Sequence, residues 1–348
     1  MSGSKIQWTD VTWNPVRGCS RVSEGCRNCY AERMAARFCG EGKPFAGFAK
    51  GVAPRDSLDR SGGRRRGWTG RVELIESKLA EPLKWRKPQR VFISMSDLFH
   101  ETLPDEAIDQ VFAVMALAPR HTFQILTKRA ERLLAFFDRR MRDVTIADAA
   151  KVLHTRVLPF ALPSEAIFDA RRVALGQPWQ INQWPLPNVW LGVSCEDQAT
   201  ADARIPQLLQ TPAALRFVSL EPLLGPIDLR LCEEFPGADG GTYEDARHGI
   251  SWVIVGGESG PKARPCDVSW IRSIRDQCKT AGVPCFVKQL GTRPCVVEGS
   301  SDARSWALSG ASAVMDDCGG IHCGNRSGAD PAEWPEDVRV REFPEARL

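Results

Sequence analysis

Seven short apolar stretches recur along the chain, each rich in Val, Ile or Phe and each ending on small, polar or charged residues. Runs of this kind read as strands buried on both faces, which a sheet covered by helices provides. The first is weak and lies around Val11 to Val16. The second, Val91 to Met95, ends at Ser96-Asp97, and the third, Thr122 to Leu126, ends at Thr127-Lys128. The fourth, Val189 to Val193, ends at Ser194-Cys195-Glu196, and the fifth, Leu215 to Leu220, ends at Glu221. The sixth, Trp252 to Val255, ends at Gly256-Gly257-Glu258-Ser259, and the seventh, Pro284 to Val287, ends at Lys288-Gln289.

Helical patterns fall between most of these runs. Asp105 to Ala118 places Ile108, Val111, Phe112 and Met115 on one face, with Pro104 suiting a helix start. Tyr30 to Phe38, Arg129 to Phe137, Gln198 to Leu209 and Val268 to Thr280 repeat the theme, the last closing at Gly282. Strand alternating with helix predicts an α/β chain with parallel strands. Seven strands in this order predict a partial or complete (β/α) barrel, with a doubly wound sheet as the alternative.

Three regions depart from the alternation. Residues 39–70 are rich in Gly, Pro and Arg and read as a long loop, and 137–188 read as an insertion with helical character and a Trp- and Pro-rich exit. After Gly291 the chain becomes irregular. The expected organisation is therefore one barrel domain over 1–291 and a C-terminal extension over 292–348. Loop and insertion could serve as a lid or be decorative.

Composition narrows the class. The 348 residues carry 46 basic and 43 acidic side chains, a net charge of +3, and 43% are hydrophobic, an ordinary globular balance that excludes disorder and small disulfide scaffolds. The longest apolar run, Val111 to Ala118, is far short of the roughly 20 residues a membrane span needs. With no hydrophobic signal region at the start, the expected location is the cytoplasm, without a membrane partner. One basic cluster stands out, Arg64-Arg65-Arg66 flanked by Arg60 and Arg71, which reads as a solvated loop or as a contact to phosphates.

Twelve cysteines in such a chain point to metal ligands or reactive thiols rather than disulfides. Cys19, Cys26 and Cys29 crowd into eleven residues directly after the first strand. Thiolates are preferred ligands of zinc and of iron-sulfur clusters. Three ligands rather than four leave one coordination position open, as in a [4Fe-4S] cluster with one free iron. Zinc recruiting Cys39, or simple unliganded thiols, are the other readings. Cys266, Cys278, Cys285, Cys295, Cys318 and Cys323 match no compact metal signature, and the five histidines are dispersed.

A three-cysteine loop followed by Tyr30-Ala31 after the first strand of a barrel resembles the radical S-adenosylmethionine (SAM) superfamily. The chain is more closely similar to a phage-associated three-cysteine family within that resemblance. The motifs that carry it are Trp13-Asn14-Pro15, the cysteine loop, Ser94-Met-Ser-Asp97-Leu-Phe, Leu126-Thr-Lys-Arg129, Gly192-Val-Ser, Ser219-Leu-Glu-Pro222, Gly256-Gly-Glu-Ser259 and Glu333-Trp334-Pro335. They cover most of the chain outside 137–188.

The resemblance implies a radical SAM type of barrel in which Cys19, Cys26 and Cys29 hold a [4Fe-4S] cluster and the open iron takes the amino and carboxylate groups of SAM. One electron then cleaves SAM to methionine and a 5′-deoxyadenosyl radical. A reductant such as flavodoxin or ferredoxin is an implied partner. Six residues separate the first two cysteines where the superfamily usually has three, a longer loop that the phage-associated family shares. The Gly256-Gly257-Glu258 run follows the sixth strand rather than the second, so the superfamily's Gly-Gly-Glu contact to SAM is not assigned to it.

Parallel barrels carry their chemistry at the C-terminal ends of the strands. Ser96, Asp97, Thr127, Lys128, Ser194, Glu196 and Glu221 are accordingly candidates for SAM, with Tyr30 near the cluster or adenine. Glu258, Lys288 and Gln289 are candidates on the substrate side. The phage association implies a nucleic acid or nucleotide substrate, specifically isomerisation of an amino acid attached to thymine in hypermodified DNA. A DNA-repair lyase, a tRNA-modifying enzyme, and a non-enzymatic zinc or iron-sulfur nucleic-acid-binding module are the alternatives.

Overall fold

The structure, a computed structural model, describes residues 4, 6–51, 67–138, 142–157, 167–169, 172, 176–231, 235–236, 242–243, 249–296, 314–315 and 321–345. The basic cluster at Arg60 and Arg64 to Arg66, and Cys318, lie outside the described residues. The principal strands are β1 (Val11–Thr12), β2 (Arg90–Phe92), β3 (Thr122–Thr127), β4 (Val189–Ser194), β5 (Leu215–Leu220), β6 (Trp252–Gly256) and β7 (Cys285–Gln289). The principal helices are α1 (Tyr30–Arg37), α2 (Asp105–Leu117), α3 (Ala130–Asp138), α4 (Arg142–Val157), α5 (Gln198–Gln210) and α6 (Val268–Ala281).

The chain divides into two compact units, 1–190 with 212–214, and 191–211 with 215–348, so β4 has residues in both. In the first unit β1, β2 and β3 pair in parallel, with Val11 opposite Val91 and Val91 opposite Phe123. In the second, β5, β6 and β7 pair in parallel, with Val253 between Val218 and Cys285. Strand order follows chain order throughout, with β4 between β3 and β5. That is the order of a singly wound partial (β/α) barrel. A doubly wound sheet would reverse direction from its first strand.

Five strands match the apolar runs closely because both their faces are covered. Every residue of β4 and β6 is buried. The first two strands are shorter than the pattern predicts. Val16 leaves the main sheet to pair antiparallel with Leu74. Beyond Phe92 the side chain of Asn14 takes over: its Oδ1 accepts the N–H groups of Ser94 and Met95 at 3.0 and 2.9 Å, so no strand partner is required there.

The insertion is structural at its start. Helix α4 lies along α2, burying Ile146, Ala147, Ala150 and Leu153. Arg142 at its first position donates to Asp109 and Asp105 and lies 4.0 Å over the Phe136 ring. Helix α6 stops where Gly282 adopts the left-handed conformation, φ 68°, as its sequence predicts. The tail packs on the second unit. Arg341 bridges antiparallel to Phe286 of β7, and Trp334 is fully buried with its indole N–H on the Gly328 carbonyl. Among the described residues no helix is long and apolar enough to cross a membrane.

Candidate functional site: a latched cysteine loop

In the first unit the ladder continues past β1 and β2 through a parallel bridge between Gly18 and Ser96, which sets the cysteine loop beside the C-terminal end of β2. Gly18 is required there: its φ is 95°, and a Cβ would sit 1.9 Å from the Arg71 carbonyl oxygen. The loop then runs through a short 3₁₀ turn at Glu24–Cys26 and enters α1 with Cys29 at the cap position.

Ser20, next to Cys19, is held from two sides. Its Oγ lies 2.8 Å from Nε2 of buried His100, and Arg129 Nη2 donates to Oγ at 2.7 Å and to the Ser20 carbonyl at 3.2 Å. The same guanidinium pairs with Asp97 at 3.0 Å and Glu101 at 2.8 Å, and its Nη1 stands 4.0 Å from Cys19 Sγ. Arg21, the residue after Ser20, forks onto Glu32 of α1, which also accepts the Trp68 N–H.

Asp97 joins the ends of two strands. One carboxylate oxygen accepts the Thr127 hydroxyl at 2.6 Å and the Phe99 N–H; the other accepts the Lys128 N–H and Arg129. The sequence-predicted residues Asp97, Thr127 and Lys128 are thus brought together, with both Asp97 oxygens bonded to the chain itself. Ser96 keeps a buried hydroxyl that has no hydrogen-bond partner among the described residues. Tyr30 is half exposed and donates its hydroxyl to the Ser94 carbonyl at 3.2 Å.

All three loop cysteines are free and half-buried. Burial pushes the Cys19 thiol up to about 12, with the negative charge of Asp97 adding to it and Arg129 opposing. Charge on Cys29 and Cys26 pushes Cys19 the same way. Burial also raises Cys29, against the N–H groups of Glu32 and Ala31 that bond its sulfur. Among the described residues no group of three or more His, Cys, Asp and Glu side chains is gathered as around a metal ion.

The second unit carries the remaining predicted residues. Glu196 is fully buried and paired with Arg204 of α5 at 3.0 Å, and Arg204 also donates to the Ser194 carbonyl. Ser194 Oγ donates to the Glu221 carbonyl at 3.2 Å, and the Glu221 carboxylate pairs with Lys288 at 2.9 Å. Glu258 is buried against Arg264, which contributes its backbone N–H and its guanidinium. Gln289 donates to the Gly257 carbonyl at 2.9 Å. Gly257 also lets the Leu290 backbone come close, since a Cβ there would meet the Leu290 carbonyl oxygen at 2.2 Å.

The pattern reading missed Ser20, His100, Arg129, Arg204 and Arg264 as site residues. Arg129 lies inside a quoted motif, one residue beyond a strand end, where a basic side chain usually reads as surface. Nothing local in the sequence marks it as buried.

Fold and site define a parallel α/β protein whose N-terminal three-thiol loop is latched beside the ends of its first strands. The chain belongs to a family described as a protein of unknown function, DUF5131, whose model matches residues 3–313. No curated protein and no solved structure matches it.

Proposed function

We propose that the protein is a radical SAM enzyme in which Cys19, Cys26 and Cys29 hold a [4Fe-4S] cluster, acting on a modified base in phage DNA. The observation that carries the reading is the double latch on Ser20 by Arg129 and His100, which fixes the cysteine loop beside a strand end. A parallel α/β protein keeps its reactive groups there.

What supports the cofactor is the chemistry of the donors, not a site already gathered around a metal ion among the described residues. Three free thiols share one loop, soft ligands of the kind iron-sulfur clusters take. Burial and the neighbouring thiols raise the Cys19 pKa, so a metal bound there must displace the thiol proton. The orphaned Ser96 hydroxyl supplies a buried polar group beside the loop with hydrogen-bonding capacity left for a ligand. When bound, the cluster supplies one electron that splits SAM into methionine and a 5′-deoxyadenosyl radical.

The chain's own residues do the remaining work. Arg129, Asp97 and His100 hold the Cys19 end of the loop, and Glu32 with Arg21 holds the loop to α1. Ser96 and Lys128, at the ends of the first unit's strands, bind and orient polar groups of SAM. Tyr30, at the start of α1, ties that helix to the Ser94 carbonyl. The substrate reading, isomerisation of amino-acid-decorated thymine, rests on the resemblance to the phage-associated family.

Anaerobic reconstitution tests the cofactor. About four irons and four sulfides per chain are expected, with 5′-deoxyadenosine formed on adding dithionite and SAM, and Ala at Cys19, Cys26 or Cys29 abolishing both. Zinc alone, with no SAM cleavage, overturns the enzyme and leaves a nucleic-acid-binding module. Reduced enzyme given phage DNA with aminoacylated thymine should yield an isomeric nucleoside of identical mass. An unchanged chromatogram with SAM cleavage intact overturns the isomerase and favours a lyase or a tRNA-modifying enzyme.

A further inference from the structure

We infer that Arg129 is the positioning residue of the cysteine loop and also sets the charge at Cys19, so that it governs both where that ligand stands and how readily the centre it holds accepts an electron. The inference rests on the cluster reading and adds to it a residue that touches no substrate.

The geometry is specific. One guanidinium reaches four groups: Asp97 at 3.0 Å, Glu101 at 2.8 Å, both oxygens of Ser20 at 2.7 and 3.2 Å, and Cys19 Sγ at 4.0 Å. Its side chain is only 4% exposed, so solvent screens its charge little. Asp97, Glu101 and Arg129 together sum to one negative charge. Removing the cation leaves the Asp97 charge that acts on the sulfur unopposed and strips Glu101 of its partner, which disfavours adding an electron nearby. The planar fork matters as much as the charge, since a lysine ammonium is a point charge without the fixed geometry to meet Ser20, Asp97 and Glu101 at once.

These two roles separate experimentally. In the full-length, metal-free protein, Arg129→Gln is expected to speed amide hydrogen exchange at least tenfold across Cys19 to Arg21, with exchange in β5 to β7 unchanged. Arg129→Lys should speed it by less. In the reconstituted protein, Arg129→Gln is expected to lower the midpoint potential by about 59 mV, a tenfold change in a one-electron equilibrium. Arg129→Lys should hold it near wild type. Glu101→Gln, at a residue more than half exposed, should raise it and serves as the second variant where Arg129→Gln does not fold.

Unaltered exchange in Arg129→Gln overturns the positioning role. Unaltered potential in Arg129→Gln, or in Glu101→Gln where that variant stands in, overturns the charge role. A wild-type chain that takes up no iron removes the cluster reading instead, while the exchange experiment still decides whether Arg129 holds the loop.

Discussion

The Thr127 hydroxyl donates a 2.6 Å hydrogen bond to Asp97 Oδ1, so the ends of β2 and β3 are joined through two buried side chains. The same hydroxyl oxygen accepts the Arg129 N–H at 2.9 Å, which turns the chain into α3. Thr127→Val keeps the shape and deletes both bonds, leaving a buried carboxylate short of one donor. The expected loss is about 1–3 kcal/mol, the usual range for a hydrogen bond to a charged group or an unmet buried one. Urea denaturation of the metal-free protein reads it as a lower midpoint with unchanged slope. A midpoint equal to wild type would show that water replaces the hydroxyl at Asp97.

Glu196 and Arg204 form the corresponding buried pair in the second unit. Since Glu196 is fully buried, Arg204→Met removes its guanidinium counter-charge in a place where solvent cannot compensate. Breaking such a pair from one side costs about 3–5 kcal/mol. The double variant Arg204→Met with Glu196→Gln should recover most of that loss. Recovery, measured by denaturation of all three proteins, distinguishes stranded charge from lost packing of the long arginine stem.

These pairs show where the sequence could be read and where it could not. The boundaries of β5 and α2 follow from apolar periodicity, because Leu215 to Leu220 and the Ile108, Val111, Phe112 and Met115 face are buried by their own hydrophobicity. The end of β2 was not legible, since Asn14, eighty residues earlier, supplies the acceptor that ends the ladder. Glu196 reads as a SAM-binding candidate because a polar residue closing an apolar strand looks available, while its pairing with Arg204 cannot be read from the same pattern. That partner lies eight residues on, at a spacing that only the turn into α5 makes a contact. The three cysteines stood out because thiols close together in sequence carry their chemistry with them, whereas the Arg129 latch depends on groups 28 to 110 residues away.

Gly18 should tolerate no side chain. Its positive φ strains any L-residue, and a Cβ would collide with the Arg71 carbonyl oxygen at 1.9 Å. Backbone strain and overpacking each cost about 1–3 kcal/mol, so Gly18→Ala is expected to destabilise the protein and displace the loop at Cys19. Iron uptake on reconstitution should fall with it. As a comparison, Gly282→Ala also places a side chain at positive φ but meets no atom within 4 Å, so it should cost only about 1 kcal/mol and leave iron uptake intact. Equal iron uptake in the two variants would show that the loop does not depend on the Gly18 approach.

His121 gives the protein an acid-sensitive point remote from the cysteines in sequence. The ring is fully buried at the start of β3, its Nε2 3.1 Å from the Pro82 carbonyl. Burial, aided by the charge of Arg120 and opposed by backbone hydrogen bonds to Pro82 and Trp85, lowers its pKa below the ordinary 6.5. The folded state therefore binds this proton less readily than the unfolded chain. Its contribution is complete above about pH 6.5 and is lost as the pH falls from there towards the folded pKa. Across that window one such histidine changes stability by at most about 1.4 kcal/mol per pH unit. His100, lowered first by burial and then by Arg129, acts in the same direction, so the wild-type slope contains both. Urea midpoints at pH 5 to 8 should fall on acidification in wild type and fall less steeply in His121→Gln, whatever the variant's stability at pH 8. Parallel curves for the two proteins would mean that the His121 ring is already accessible to protons in the folded state.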